Sequence, residues 1–296
     1  MENKLQVGII GSFQIGKSTF VNCLLDDKVA KTGGMGVSVT SISTRYVFGP
    51  IQGVKYMSNG RAVKTCRLHE FLQDENIASG VDEVVVSLWK PILKDIDIVD
   101  TPGFNANDKD TKTTNKAIEK LDFIIVLLNN RALNTLEEVM IDHLRIIGKP
   151  FIVIVNCINN GGAMWDPNSK VNEPILTQIT NRIEAIGASP LKINKNSIHS
   201  CNLIWHWYAS EHYLNDEPMF VTQIESQINF FEKVLLKSQD IDCDKLAKNS
   251  NFSQIRDLFA NDTTYGFPYN YIRWNSKLMS KLSDWENNII KKLNQI

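Results

Sequence analysis

Apolar and polar positions along the first half of the chain alternate between two periods. Leu5, Val7, Ile9 and Ile10 form a short apolar run that predicts a buried strand. From Thr19 to Leu25 the apolar residues Phe20, Val21, Leu24 and Leu25 recur with helical spacing. Ile42, Thr44, Tyr46 and Phe48 alternate as a strand does. Ile96, Ile98 and Val99 predict a further strand, followed by strands over 123–128 and 151–155 and helices over 136–147 and 175–186. Strands alternating with helices predict an α/β fold of three layers, α/β/α, with a mostly parallel sheet.

Beyond about residue 203 the strand rhythm ends. Trp205, Trp207, Tyr208 and Tyr213 form an aromatic cluster whose expected role is packing. Helical patterns follow at 220–236 and 252–259, then an irregular stretch over 265–271. In the last segment Leu278, Leu282, Trp285, Ile289, Leu293 and Ile296 share one helical face. That face is expected to pack on the globular body, with a seam for a partner helix as the alternative. The expected division is a first domain over 1–210 and a short helical C-terminal extension over 211–296.

Composition narrows the classes. The chain has 296 residues, 43% of them hydrophobic, enough for a sizeable core. A formal net charge of −1 does not advertise nucleic acid as a partner. Five scattered cysteines without a C-x-x-C pair suit free thiols in a reducing compartment. Neither a signal peptide nor an 18-residue apolar stretch is visible, so a cytoplasmic protein is the expectation.

The chemistry begins after the first strand. Gly11-Ser12-Phe13-Gln14-Ile15-Gly16-Lys17-Ser18, followed by Thr19, fits G-x-x-x-x-G-K-[ST]. In this motif glycines let backbone N–H groups turn toward phosphate oxygens at the start of a helix. Lys17 is expected to reach the β- and γ-phosphates, and the Ser18 hydroxyl to ligate Mg²⁺. Downstream, Asp100-Thr101-Pro102-Gly103 closes the strand at 96–99. Asp100 is placed to hold Mg²⁺, and the Gly103 N–H to contact the γ-phosphate. The two motifs together imply a GTPase of the TRAFAC class rather than a kinase. Between them, Lys31 to Ser41 carries Gly33, Gly34 and Gly36 and reads as a mobile switch loop. Thr40 is the preferred residue to put a hydroxyl on Mg²⁺, with Thr32, Ser38 and Thr44 as runners-up.

The stretches GSFQIGKSTFVNCLL, VAKTGGMGVSVTSISTRYVFG and DIDIVDTPGF resemble the GTPase domain of bacterial dynamin-like proteins. The resemblance covers roughly residues 4–202. It implies a glycine-rich first switch, a threonine-rich strand and a hairpin insertion. Gly53 to Arg67 fits that hairpin, with Asn59-Gly60 as its turn. It also implies GTP or GDP as ligand, with slow hydrolysis stimulated by self-association across the nucleotide or by a larger partner. This chain is too short for the family's full stalk and begins at the first strand, so membrane remodelling is not expected from it. Peripheral membrane contact has no support in the sequence.

Two departures from the family pattern stand out. The base-reading motif, Asn-Lys-x-Asp, is here Asn156-Cys157-Ile158-Asn159. A carboxylate accepts from two guanine N–H groups, whereas the amide of Asn159 accepts with its oxygen and donates with its nitrogen. Guanine is then bound more weakly or discriminated less well, with ATP or XTP as competing ligands. Asn156 and Asn159 are expected to face the base, supported by Ser200 and Cys201 in the stretch 197–201. The second departure is Phe104, where Ras-like enzymes carry the water-orienting glutamine. Gln14 is the candidate to orient water or a charge-compensating group, beside Lys17, Thr40 and Gly103 as the catalytic set. The contrasting expectation is a nucleotide-binding scaffold with little turnover that acts on a partner through its tail.

Overall fold

The computed structural model describes residues 4–32, 42–74, 80–103, 117–157, 173–191, 198–216, 218–229 and 242–259. Thr40, Ser38, Phe104, Asn159 and the helical pattern of 278–296 lie outside the described residues.

Nine strands form one sheet among the described residues, in the order β4-β3-β5-β2-β6-β1-β7-β8-β9. They are β1 Leu5–Ile10, β2 Ser43–Phe48, β3 Gly53–Ser58, β4 Arg61–Cys66, β5 Glu83–Leu88, β6 Ile96–Asp100, β7 Phe123–Asn129, β8 Phe151–Asn156 and β9 Ile198–Cys201. From β6 through β9 every neighbour pair is parallel. β1, β6, β7 and β8 are buried along nearly their whole length, and β7 and β8 read as near-continuous apolar runs for that reason. The mostly parallel sheet expected from the sequence is therefore present. β2 runs antiparallel to β6, and the β3–β4 hairpin continues that end of the sheet antiparallel.

That hairpin follows its turn signal. Asn59 and Gly60 take φ values of 48° and 75°, the left-handed pair that a tight two-residue hairpin requires. β4 forms the sheet edge, and its exposed Arg61 and Lys64 charge that edge against pairing with other chains. β5 was not among the expected strands. Val84-Val85-Val86 is too short a run to identify alone, and it becomes a strand by lying between β2 and β3.

Helices wholly within the described residues are α1 Lys17–Leu25, α2 Leu68–Gln73, α3 Thr135–Ile146, α4 Glu173–Ala185, α5 Leu203–Ala209, α6 Pro218–Asn229, α7 Cys243–Asn249 and α8 Phe252–Asp257. α3 and α4 join successive neighbours β7-β8-β9, so right-handed crossovers place them on one face. The Arg182–Glu138 ion pair ties them together, with Nε to Oε1 at 2.6 Å. α1 leaves β1 toward the other half of the sheet. It is buried along eight of its nine residues because the C-terminal helices cover it. Phe20 meets Phe252 edge to face at 5.5 Å, and Asn202 N donates to Ser250 O at 2.9 Å.

The aromatic cluster is packing, as expected. Trp205 and Trp207 are buried, and Tyr208 stacks on Tyr213 at 4.8 Å. Trp207 Nε1 donates to Asp216 Oδ2 at 2.7 Å, and the same carboxylate takes Lys28 and the Thr32 hydroxyl. The chain leaving α1 is thus held by residues nearly two hundred positions away. Its turn is set by Asn22, whose Oδ1 accepts from Val29 N and Ala30 N at 2.9 and 2.7 Å.

Candidate nucleotide site

The site stands at the carboxyl ends of β1, β6 and β7, where open α/β sheets place their ligands. The loop from Gly11 to Gly16 wraps the start of α1. Gly16 takes φ 98°, a left-handed conformation that suits glycine, and a Cβ there would approach Asn156 Nδ2 to 3.1 Å. Gln14 is exposed and also left-handed, at φ 58°. Ile15 is buried as the loop's apolar anchor, and Thr19 is buried in the first turn of α1.

Lys17 is 7% exposed. Its Nζ donates to the carbonyls of Gly11 at 3.2 Å and Ser12 at 3.0 Å, so the ammonium lies across the mouth of the loop. Burial pulls its pKa down to about 8, and the charge of Asp100 opposes that pull. Asp100 ends β6 at 2% exposure. Burial pushes its carboxyl up to about 6, against the opposing effects of Lys17 and the Ser18 hydrogen bond. Ser18 Oγ donates to Asp100 Oδ2 at 2.7 Å. Asp100 Oδ1 is buried without a hydrogen-bond partner.

An orphaned carboxylate oxygen and a hydroxyl on the same spot, all hard oxygen donors, fit a magnesium ion that keeps waters and shares phosphate oxygens. Next to them Thr101 Oγ1 donates to Ile9 O at 2.8 Å, which locks the end of β6 to the end of β1. Gly103 then lies against Phe13, and a Cβ on Gly103 would fall 2.9 Å from Phe13 Cα. Only a residue without a side chain brings its backbone this close to the phosphate loop.

The base-side residues are arranged differently. Asn156 is 2% exposed. Its Nδ2 donates to Ile15 O at 3.1 Å, and its Oδ1 accepts from Leu203 N at 3.3 Å. The side chain therefore ties the phosphate loop to the start of α5. Cys157 is fully buried, and burial pushes its thiol up to about 12. Its N–H donates to Cys201 O at 2.8 Å. Ser200 and Cys201 pair with Val155 and Asn156 across β8 and β9, so the two loops of this end start side by side.

The family model for the dynamin family matches residues 7–158. The chain belongs to the dynamin family. Among other members, Dynamin-like protein 2 of Campylobacter jejuni is 26% identical over 159 residues, which is 53% of this chain and 26% of that protein. A probable transmembrane GTPase FZO-like, chloroplastic, of Arabidopsis thaliana is 29% identical over 150 residues, 50% of this chain and 14% of that one. The chain thus spans about a quarter or less of these relatives' length. A solved structure of an oligomerised bacterial dynamin pair superposes with a TM-score of 0.50 at 17% identity, over 87% of this chain and 37% of its own. That match is one of fold. The dynamin-family fold is a P-loop GTPase fold, in agreement with the architecture expected from the motifs. No described helix is long and apolar enough to cross a membrane.

Sequence reasoning did not find every residue at this site. Asn134-x-x-Glu137 is a capping-box spacing at the start of α3. Nothing in that spacing reveals that Glu137 also takes the Ser12 hydroxyl, at 3.1 Å. The double use of Asn156 was equally hidden, because both of its partners are backbone groups distant in sequence.

Proposed function

We propose that this chain binds GTP with Mg²⁺ and hydrolyses it to GDP and phosphate, through a GTPase unit over 1–210 with a helical extension over 211–296. One observation carries the reading. Buried Asp100 holds the Ser18 hydroxyl and keeps one oxygen without a partner, beside a left-handed glycine loop crossed by a buried lysine.

Backbone N–H groups of the loop and the N-terminal end of α1 favour the anionic phosphates. Lys17, carrying its charge below a pKa of about 8, moves from carbonyl oxygens to the β- and γ-phosphate oxygens, which are stronger acceptors. Ser18, Asp100 and Thr40 are the residues to hold Mg²⁺, which supplies neutralisation of charge on the β- and γ-oxygens. The Gly103 N–H senses the γ-phosphate, and its contact is lost after hydrolysis. Phe104, as a residue type, has no polar group to orient water, so Gln14, exposed in the loop, is assigned that task or the placement of a compensating cation. Turnover is slow in the isolated chain and rises with self-association across the nucleotide.

Calorimetry with GTP, ATP and XTP in Mg²⁺ tests the binding half. Uptake of none of them at millimolar ligand overturns it. Single-turnover rates across a range of protein concentrations test the self-association half, and rates flat in concentration count against it.

A second reading keeps the triphosphate site but relaxes the base. Buried Cys157 stands where a lysine stem would lie along the neighbouring loops, and so leaves that surface unserved. Comparable affinities for GTP and ATP would favour this reading.

A further inference from the structure

The start of α3 carries a carboxylate that its own helix does not account for. Glu137 is 2% exposed. Four donors converge on it. Asn134 N reaches Oε2 at 3.1 Å, Arg131 Nη1 reaches Oε2 at 3.0 Å, Arg131 Nη2 reaches Oε1 at 2.9 Å, and Ser12 Oγ reaches Oε1 at 3.1 Å. The Asn134 contact is one half of a capping box. The Arg131 fork neutralises a buried charge with planar, two-point geometry. The Ser12 bond spans 125 residues of sequence and does nothing for the helix.

A bare buried carboxylate next to an anion-binding loop would work against that loop, because like charges meet in a medium of low dielectric. Arg131 cancels the charge. What remains is a rigid acceptor for the hydroxyl of the loop's second residue. The residue after Ser12 is Phe13, whose Cα is the surface on which Gly103 stands. Contacts therefore run without a gap from Arg131 to Glu137, Ser12, Phe13 and Gly103. They begin at α3 and end at the backbone assigned to the γ-phosphate.

We infer that Glu137 is a positioning residue. By holding Ser12 it sets the spacing between the phosphate loop and Gly103, and so governs the triphosphate state rather than the diphosphate state. This rests on the nucleotide reading given above.

The test uses the full chain with fluorescent GDP, a fluorescent non-hydrolysable GTP analogue and GTP turnover. The variants are Glu137→Gln, Ser12→Ala, their double mutant and Ser12→Thr. Glu137→Gln and Ser12→Ala are each expected to leave GDP affinity within about twofold of wild type, while weakening the GTP analogue and lowering kcat by about tenfold. The double mutant is expected to be no worse than either single, since both cut one chain of contacts. Ser12→Thr, which keeps the hydroxyl, restores most of kcat.

Equal losses for GDP and GTP would overturn the inference and leave Glu137 as a structural brace. Additive losses, or variants that match wild type, would also overturn it. Wild-type protein that takes up no nucleotide would sink both this inference and the reading beneath it. Wild-type protein that binds and turns over GTP beside unaffected variants sinks the inference alone. Should Glu137→Gln fail to fold, Ser12→Ala and Ser12→Thr decide the question by themselves.

Discussion

The phosphate end and the base end of the candidate site lie a few residues apart across β1 and β8, yet they are built on opposite principles. At the proposed phosphate end the groups available to a ligand are backbone amides, a helix terminus, one lysine and one carboxylate. Two of these groups are buried at an electrostatic cost and kept in strained protonation equilibria, Lys17 down at about 8 and Asp100 up at about 6. Perturbation of this kind, in groups that face each other under a glycine loop, is what the proposed ligand site would require. At the base end the recognisable residue, Asn156, is satisfied by the protein itself, and Cys157 is folded into the core. An anion cradle is a property of a short loop. Base discrimination depends on side chains from several loops meeting at one point.

The largest effect that would break this contrast concerns Lys17. Lys17→Ala is expected to lower phosphate release by about 100-fold or more, because one charged donor to the transferring group is lost. A variant that releases phosphate at the wild-type rate would remove the phosphate end's claim to chemistry.

Asp100 sharpens the contrast from the side of stability. Its folded pKa of about 6 lies above the ordinary carboxylate value of 3.8. The fold therefore favours the protonated form, and stability present at low pH is lost as pH rises through about 6. For Lys17, lowered from 10.5, the contribution is present at high pH and lost as pH falls through about 8. Near pH 7 both ionised groups weigh against the nucleotide-free fold. Asp100→Asn is expected to abolish Mg²⁺-dependent turnover while raising Tm by a few degrees. Differential scanning calorimetry without nucleotide reads that sign, and a lower Tm would refute the argument. In the same frame, Mg²⁺-dependent nucleotide binding by the wild-type chain should fall as pH is lowered through about 6, where Asp100 takes a proton.

Asn156 tests the other side. Asn156→Ala strips Ile15 O and Leu203 N of their buried partner, so urea unfolding should show a loss of about 1–3 kcal/mol. A guanine-contact role without the structural one would instead weaken nucleotide binding and leave unfolding untouched. The smallest expected effect is a gain at the base. Asn159→Asp restores a double acceptor, and the ratio of GTP to ATP affinity is expected to rise by about tenfold. An unchanged ratio would mean that the base is not read from this strand end.

Much of this fold was legible in advance, for reasons that differ by region. β7 and β8 are covered on both faces, so burial writes itself into continuous apolar runs. The β3–β4 hairpin announced its turn through Asn59-Gly60, because few other pairs accept positive φ twice. β5 and α2 escaped notice. The first is an edge-side strand whose place between β2 and β3 is settled by pairing with distant segments. The second is a six-residue helix, too short for periodicity to register. Helical patterns at 220–236 and 252–259 match the described helices Pro218–Asn229 and Phe252–Asp257, whereas α7 was not expected. The packing of Phe252 on Phe20 of α1, and the hold of Asp216 on Lys28 and Thr32 beyond it, had no local signal.

What the amino-acid order determined unaided was the glycine-lysine loop ahead of α1 and the alternating α/β plan. Both depend on interactions within a few residues: glycine's conformational freedom, a helix terminus, the period of burial. What the tertiary structure alone decided was the company those residues keep. Asn156 became a tie between loops, and Asp216 a clasp on the chain leaving α1. Glu137 became a fixed support behind Ser12. In each case a polar side chain was buried with at least one partner remote in sequence, and its burial without that partner would cost free energy.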